Sequence, residues 1–185
     1  LEITSGIKDY NLKEDFQYYI NSKNTLTFGF NTVSHTFRPG KLNSENEDLF
    51  NSKILDKKHA VESAVYISHK FEISDRLILN YGLRYSNCAV IGPDTIYTYN
   101  KNDEITNSIS YSKGDLIQNY GTLEPRMTFN YIISKKMSVK MSYARNAQYM
   151  HLLSNSSVSF PTDLWISSST IVKPQIADQI ALGFF

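Results

Sequence analysis

The residues of this chain best suited to chemistry are four histidines, one cysteine, a small group of carboxylates and many serines. His35, His59, His69 and His151 lie far apart. No pair stands at i,i+2 or i,i+4 with a further ligand, the spacing that brings two imidazoles onto one metal. Cys88 has no second cysteine for a disulfide and no partner at metal-ligand spacing, so it reads as a small half-buried strand residue. No serine sits in a Gly-x-Ser-x-Gly elbow. The eight glycines are dispersed, not gathered into a loop that cradles phosphate. Glu45, Glu47 and Asp48 offer oxygens to a hard cation, but the Asp-x-Asp-x-Asp-Gly register is missing and a solvated acidic loop is expected. The sequence therefore predicts no enzyme, no cofactor and no metal site.

Recognition chemistry is better represented. Tyr97, Tyr99, Tyr111, Tyr120, Tyr149, His151 and Trp165 fall in long links between patterned segments. Their rings can stack on apolar or sugar-like faces, with neighbouring Asn and Ser supplying hydrogen bonds. They are the candidate ligand-binding residues. A second set, Lys70, Arg84, Arg126, Lys140 and Arg145, is assigned to a polar strand face opposite an apolar one. Arg or Lys on a lipid-facing surface costs ~2–4 kcal/mol at mid-membrane, so such a face suits a hydrated lumen.

The elements that carry these residues alternate with period two. Leu77, Leu79, Tyr81, Leu83 and Tyr85 share one face, and Asn80, Gly82, Arg84 and Ser86 the other. Met127, Phe129, Tyr131 and Ile133 oppose Arg126, Thr128 and Asn130; Met137, Val139, Met141 and Tyr143 oppose Ser138, Lys140 and Ser142. Such patterns make half-buried strands. Strands are expected near 3–20, 25–37, 60–72, 77–90, 123–133, 137–146 and 176–185. Short polar links, Asn21–Asn24, Ile73–Arg76 and Ser134–Lys136, alternate strictly with long ones, Arg38–His59, Ile91–Thr122 and Ala147–Gln175. An antiparallel up-and-down meander with tight turns at one end and long loops at the other is the pattern of a transmembrane outer-membrane β-barrel. The competing expectation is a soluble β-sandwich serving surface binding or adhesion, though its strands usually run five or six residues. A third is a small complete barrel, against which an odd count of seven strands speaks.

Composition agrees. Thirteen tyrosines and ten phenylalanines beside many Ser, Thr and Asn suit sheets. The formal charge of +1 gives no field to attract nucleic acid. No apolar run approaches the ~18 residues of a membrane helix, which leaves β-spans open.

Several segments resemble the barrel of TonB-dependent outer-membrane receptors of the Bacteroidetes type. These are LEPRMTFNY (Leu123–Tyr131), MSYARNAQYMHLLSNSS (Met141–Ser157), PTDLWISSS (Pro161–Ser169) and KPQIADQIALGFF (Lys173–Phe185), with DYNLKEDF (Asp9–Phe16) and FRPG (Phe37–Gly40) similar to the same family. The resemblance implies location in the bacterial outer membrane, contact with its lipid, and uptake of a nutrient with energy passed on by TonB. It also implies a plug domain inside the closed barrel, against which Arg84, Arg126, Lys140 and Arg145 would face. The nutrient stays open among siderophore, cobalamin, glycan and peptide. The chain shows no plug, TonB box or secretory signal, so residues 1–185 are expected to be about seven strands of a larger barrel. Gly183-Phe184-Phe185 looks like a terminal assembly signal, yet the strand resembles an internal one, and a cut is expected there. An isolated piece of this kind is expected to self-associate.

Overall fold

The computed structural model of the chain describes residues 2–43, 56–153 and 164–185. The acidic group Glu45, Glu47 and Asp48 lies outside the described residues. The strands are β1 (Glu2–Asn21), β2 (Asn24–Asn43), β3 (Lys58–Ser74), β4 (Leu77–Ile91), β5 (Asp94–Tyr99), β6 (Ile105–Tyr111), β7 (Leu116–Ser134), β8 (Met137–Gln148), β9 (Met150–Leu153), β10 (Leu164–Ser167) and β11 (Gln175–Phe184). Seven of them form one sheet in the order β1-β2-β3-β4-β7-β8-β11. Every neighbouring pair is antiparallel. The all-β meander expected from the alternation is the architecture observed. The sheet is open, with β1 and β11 as its edges.

Three two-residue links close the tight end: Ser22–Lys23, Asp75–Arg76 and Lys135–Lys136. Each is held by a side chain just before it. Asn21 Oδ1 accepts the Lys23 N–H at 2.9 Å, Ser74 Oγ the Arg76 N–H at 3.3 Å, and Ser134 Oγ the Lys136 N–H at 3.3 Å. Among the described residues, positive φ outside glycine occurs at Asp103 and not in these turns. They are therefore not the mirror-image turns that match strand twist in two-residue hairpins. A register irregularity beside each turn, at Tyr19/Asn21, Glu72/Ser74 and Ile132/Ser134, absorbs the difference.

Register lines the apolar residues into rows across the sheet. Phe16, Phe28, Ile67, Leu83 and Pro125 are consecutive cross-strand partners. So are Leu79, Phe129, Met141 and Leu182. Phe16 and Phe28 stack at 5.4 Å. Most of these side chains are exposed or half-exposed, Leu182 to 61%. The other face carries Arg84, Arg126, Lys140 and Ser142, so Arg126 and Phe129 point to opposite sides as expected.

Arg145 corrects the expected lumen-facing set. It stands five residues from Lys140 on an unbroken stretch of β8, and positions an odd number apart face opposite ways. It shares the apolar side with Tyr143 and is paired with Asp178, its Nε and Nη2 donating to the two carboxylate oxygens at 2.8 and 2.9 Å. Tyr143 donates to the same carboxylate at 2.7 Å.

The strands also run farther than the alternation indicates. β2 continues to Asn43, and β7 begins at Leu116. Ile91–Thr122 and Ala147–Gln175, expected as loops, contain the hairpins β5–β6 and β9–β10. The alternation fades there because both faces of the upper strands are mixed in polarity, as in Leu116–Thr122. Strands of 15 to 20 residues exceed the ~9–11 that cross a bilayer.

Candidate functional site

The polar face is built around one row of cross-strand partners, Asp15, Gly29, Tyr66, Arg84 and Glu124, running over five strands. Gly29 makes the row possible. A Cβ there would stand 2.7 Å from the Tyr66 hydroxyl, so only a bare backbone lets that ring lie across β2. Tyr66 thereby donates to the carboxylate of Asp15, two strands away, and Lys13 pairs with the same group at 2.7 Å. The Arg84 guanidinium lies 5.7 Å from the Tyr66 ring centre.

Glu124 ends the row as a buried carboxylate, 3% exposed. Arg126 Nη2 lies 3.1 Å from it and Arg84 Nε 3.7 Å, and Ser86 donates its hydroxyl. Tyr149 closes the group from above, its hydroxyl 2.9 Å from Ser86 Oγ. A polar cavity of about 170 Å³ opens among Asn31, Glu62, Arg84, Ser86, Glu124 and Tyr149. Beside it His35 is buried. Its Nδ1 lies 2.8 Å from Asp9 Oδ1 and its Nε2 3.7 Å from Glu62 Oε1.

Glu124→Ala would leave two cations facing each other without their shared anion. Arg84 is 29% exposed and Arg126 52%, so water recovers part of the loss. The expected cost is ~2 kcal/mol, near that of a hydrogen bond to a charged group. Urea unfolding of the whole protein in detergent measures it; a loss below ~0.5 kcal/mol would mean the cluster is ordinary solvated surface.

Pro125 explains how Tyr149 reaches this place. The β7–β8 ladder stops at Arg126↔Ala144, one residue short of the proline, which has no N–H to donate. Above that point β8 stays with β11 and leaves β7, and Arg126 spans the gap to Asn146 Oδ1 at 3.0 Å. The β9–β10 hairpin then folds onto the polar side. Tyr149 is buried with Phe37, Ala60 and Cys88 in the one apolar cluster of buried residues described, with Ile7 and Tyr120 packed against it. Tyr120 donates to the Ser169 carbonyl at 2.7 Å, and the Ser168 N–H to the Tyr149 carbonyl at 2.6 Å.

The expected ligand-binding aromatics are thus separated. Tyr149 and His151 are buried. His151 Nε2 lies 3.0 Å from Ser168 Oγ, and burial holds its pKa below the usual histidine value, favouring the neutral ring. Trp165 pairs with Leu152, so it stands on the opposite face of the hairpin from His151 and is exposed. Tyr97 and Tyr99 share one exposed face of β5–β6, while Tyr111 is half-buried on the other. The base of that hairpin is tied down by the Lys58–Asp94 ion pair and by the Gly92 N–H to the Asp115 carbonyl at 2.9 Å. Alternation places Ser86 and Glu62 on the polar face and spacing sets His35 aside as a metal ligand, but neither marks these residues or Glu124 as one cluster. Glu124 was findable, since it stands two residues from Arg126 and faces the same way.

No family model and no curated protein matches the sequence. Among solved structures, the FrpB iron transporter from Neisseria meningitidis (F5-1 variant) is similar, with a TM-score of 0.53 and 16% identity over 77% of this chain. The chain spans 20% of the length of that transporter. At this identity the likeness is one of fold. It agrees with the up-and-down meander of an outer-membrane β-barrel, seen here as an open sheet.

Proposed function

We propose that this chain is part of an outer-membrane receptor or transporter for TonB-energised nutrient uptake, its long loops meeting the nutrient outside the cell. The observation that carries the reading is the two-sided sheet. Apolar rows cover one face, a network of charged side chains covers the other, and all tight turns lie at one end. The fold likeness to an iron transporter adds support and leaves the cargo open. In this reading the polar face lines the lumen and meets the protein's own plug domain, the apolar face meets lipid, and the cargo undergoes no chemistry. The competing β-sandwich needs a second sheet ~10 Å over the apolar face. Among the described residues that side carries no second layer, and the β9–β10 hairpin packs on the polar side.

Tyr97, Tyr99 and Trp165 are the exposed aromatics left to contact a ligand. In the whole protein, Tyr97→Ala and Trp165→Ala are each expected to lower affinity for the transported nutrient about fivefold or more, the ~1 kcal/mol of an aromatic contact. Barrel abundance in outer-membrane fractions should be unchanged. Equal affinity in both variants removes these residues as contacts.

A further inference from the structure

The apolar side of the sheet carries an unassigned basic step near its long-loop end. Down β1 that face runs Gly6, Lys8, Tyr10, Leu12, with Tyr10 and Leu12 exposed. Lys8 is the cross-strand partner of Thr36, which is in turn the partner of His59. Arg38 stands two residues beyond Thr36 on the same face, and both cations are exposed. The cross-strand partner of Arg38 is Gly6, where a Cβ would meet nothing within 4 Å. An open notch therefore lies at Gly6, beside Arg38 in the register and two residues from Lys8 on the same face. Lys8 Nζ is held 4.8 Å above the Tyr10 ring, and Thr36 Oγ1 lies 3.3 Å from His59 Nδ1.

We propose that Lys8, Thr36, Arg38 and His59 form a binding site for the phosphate of an anionic lipid headgroup. The inference rests on the membrane reading above and adds a ligand to it. Apolar side chains, then an aromatic ring, then cations is the order a strand meets on passing from acyl chains to headgroups. Tyr10 marks the boundary, and Lys8 and Arg38 stand just beyond it. An Arg fork matches phosphate oxygens bidentately, a Lys adds a point charge, and Thr36 offers a hydroxyl donor. On this face of β1 the nearest carboxylate among the described side chains is Glu14, well down the strand toward the tight turn.

The test uses the whole protein extracted from outer membranes in mild detergent, with co-purifying lipid measured by native mass spectrometry. The wild type is expected to retain a phosphate-bearing lipid. Lys8→Glu with Arg38→Glu should lower its occupancy at least tenfold, and Gly6→Leu, which fills the notch and keeps both cations, should lower it several-fold. Heat-modifiable migration on gels checks that each variant holds a folded barrel; if the reversed pair does not, Lys8→Gln with Arg38→Gln gives the same reading. Micelles of the phosphorylated lipid should restore occupancy, and micelles of the same lipid after phosphatase treatment should not. Unchanged occupancy in the variants, equal rebinding of the dephosphorylated lipid, or full displacement by millimolar inorganic phosphate overturns the site. Recovery of the protein in the soluble fraction would instead overturn the membrane reading itself.

Discussion

Produced alone and without detergent, the 185-residue chain is expected to run as dimers or larger species, not as a monomer of 21.2 kDa. Two surfaces drive this. The apolar rows from Phe16 to Pro125 and from Leu79 to Leu182 lie open, well beyond the few hundred Å² of contiguous apolar surface that soluble monomers tolerate. The edge strands β1 and β11 also present unpaired N–H and C=O groups. The two edges differ. β1 carries Lys13, Glu14 and Asp15, which oppose pairing, whereas β11 carries Ile176, Ile180, Leu182 and Phe184, all exposed. Pairing through β11 is therefore expected. Ile180→Lys with Leu182→Lys should shift sedimentation toward smaller species, and the same change on β1 should do less. A monodisperse 21.2 kDa species that unfolds cooperatively would show a self-sufficient soluble β-module and end the barrel reading.

The second large effect is one of sidedness. Leu83→Arg in the whole protein places a guanidinium between Ile67 and Pro125, in the middle of the apolar rows. The expected cost is ~2–4 kcal/mol, that of a charge on the lipid face near the bilayer centre. Asn80→Arg, on the opposite face between Lys70 and Thr128, should cost far less because that side chain meets the hydrated wall. Unfolding in bilayers or detergent, together with abundance in outer-membrane fractions, reads the difference. Equal costs for the two substitutions would show that neither face meets lipid.

Single residues show how far the strand pattern could be read in advance. Leu83 and Arg84, or Arg126 and Phe129, are assigned to their faces by alternation alone, and register agrees. Arg145 shares its charge with Lys140, but its odd separation from that residue puts it on the other side. Its charge is accommodated there by a bidentate partner, Asp178, on the adjacent strand, which no local pattern announces. The upper reaches of β2 and β7 carry no strand signal in the sequence because alternation marks a strand only where one face is wholly apolar.

By itself the sequence determined the seven long strands, their facing and the sorting of tight and long connections to opposite ends. Those are properties of one strand or one turn, encoded in residues that are neighbours in the chain. Only the tertiary structure decided which side chains meet. Asp15 and Glu124 belong to one row because registers add across four strand pairs. A single slip in any of them would turn that strand's residues to the other face. Tyr149 and His151 were legible as loop aromatics, yet they are buried because Pro125 ends a ladder and lets the following chain fold back onto Phe37, Ala60 and Cys88. Such contacts join residues far apart in the chain, Tyr149 with Phe37 being the most distant pair, and nothing local in either segment specifies them.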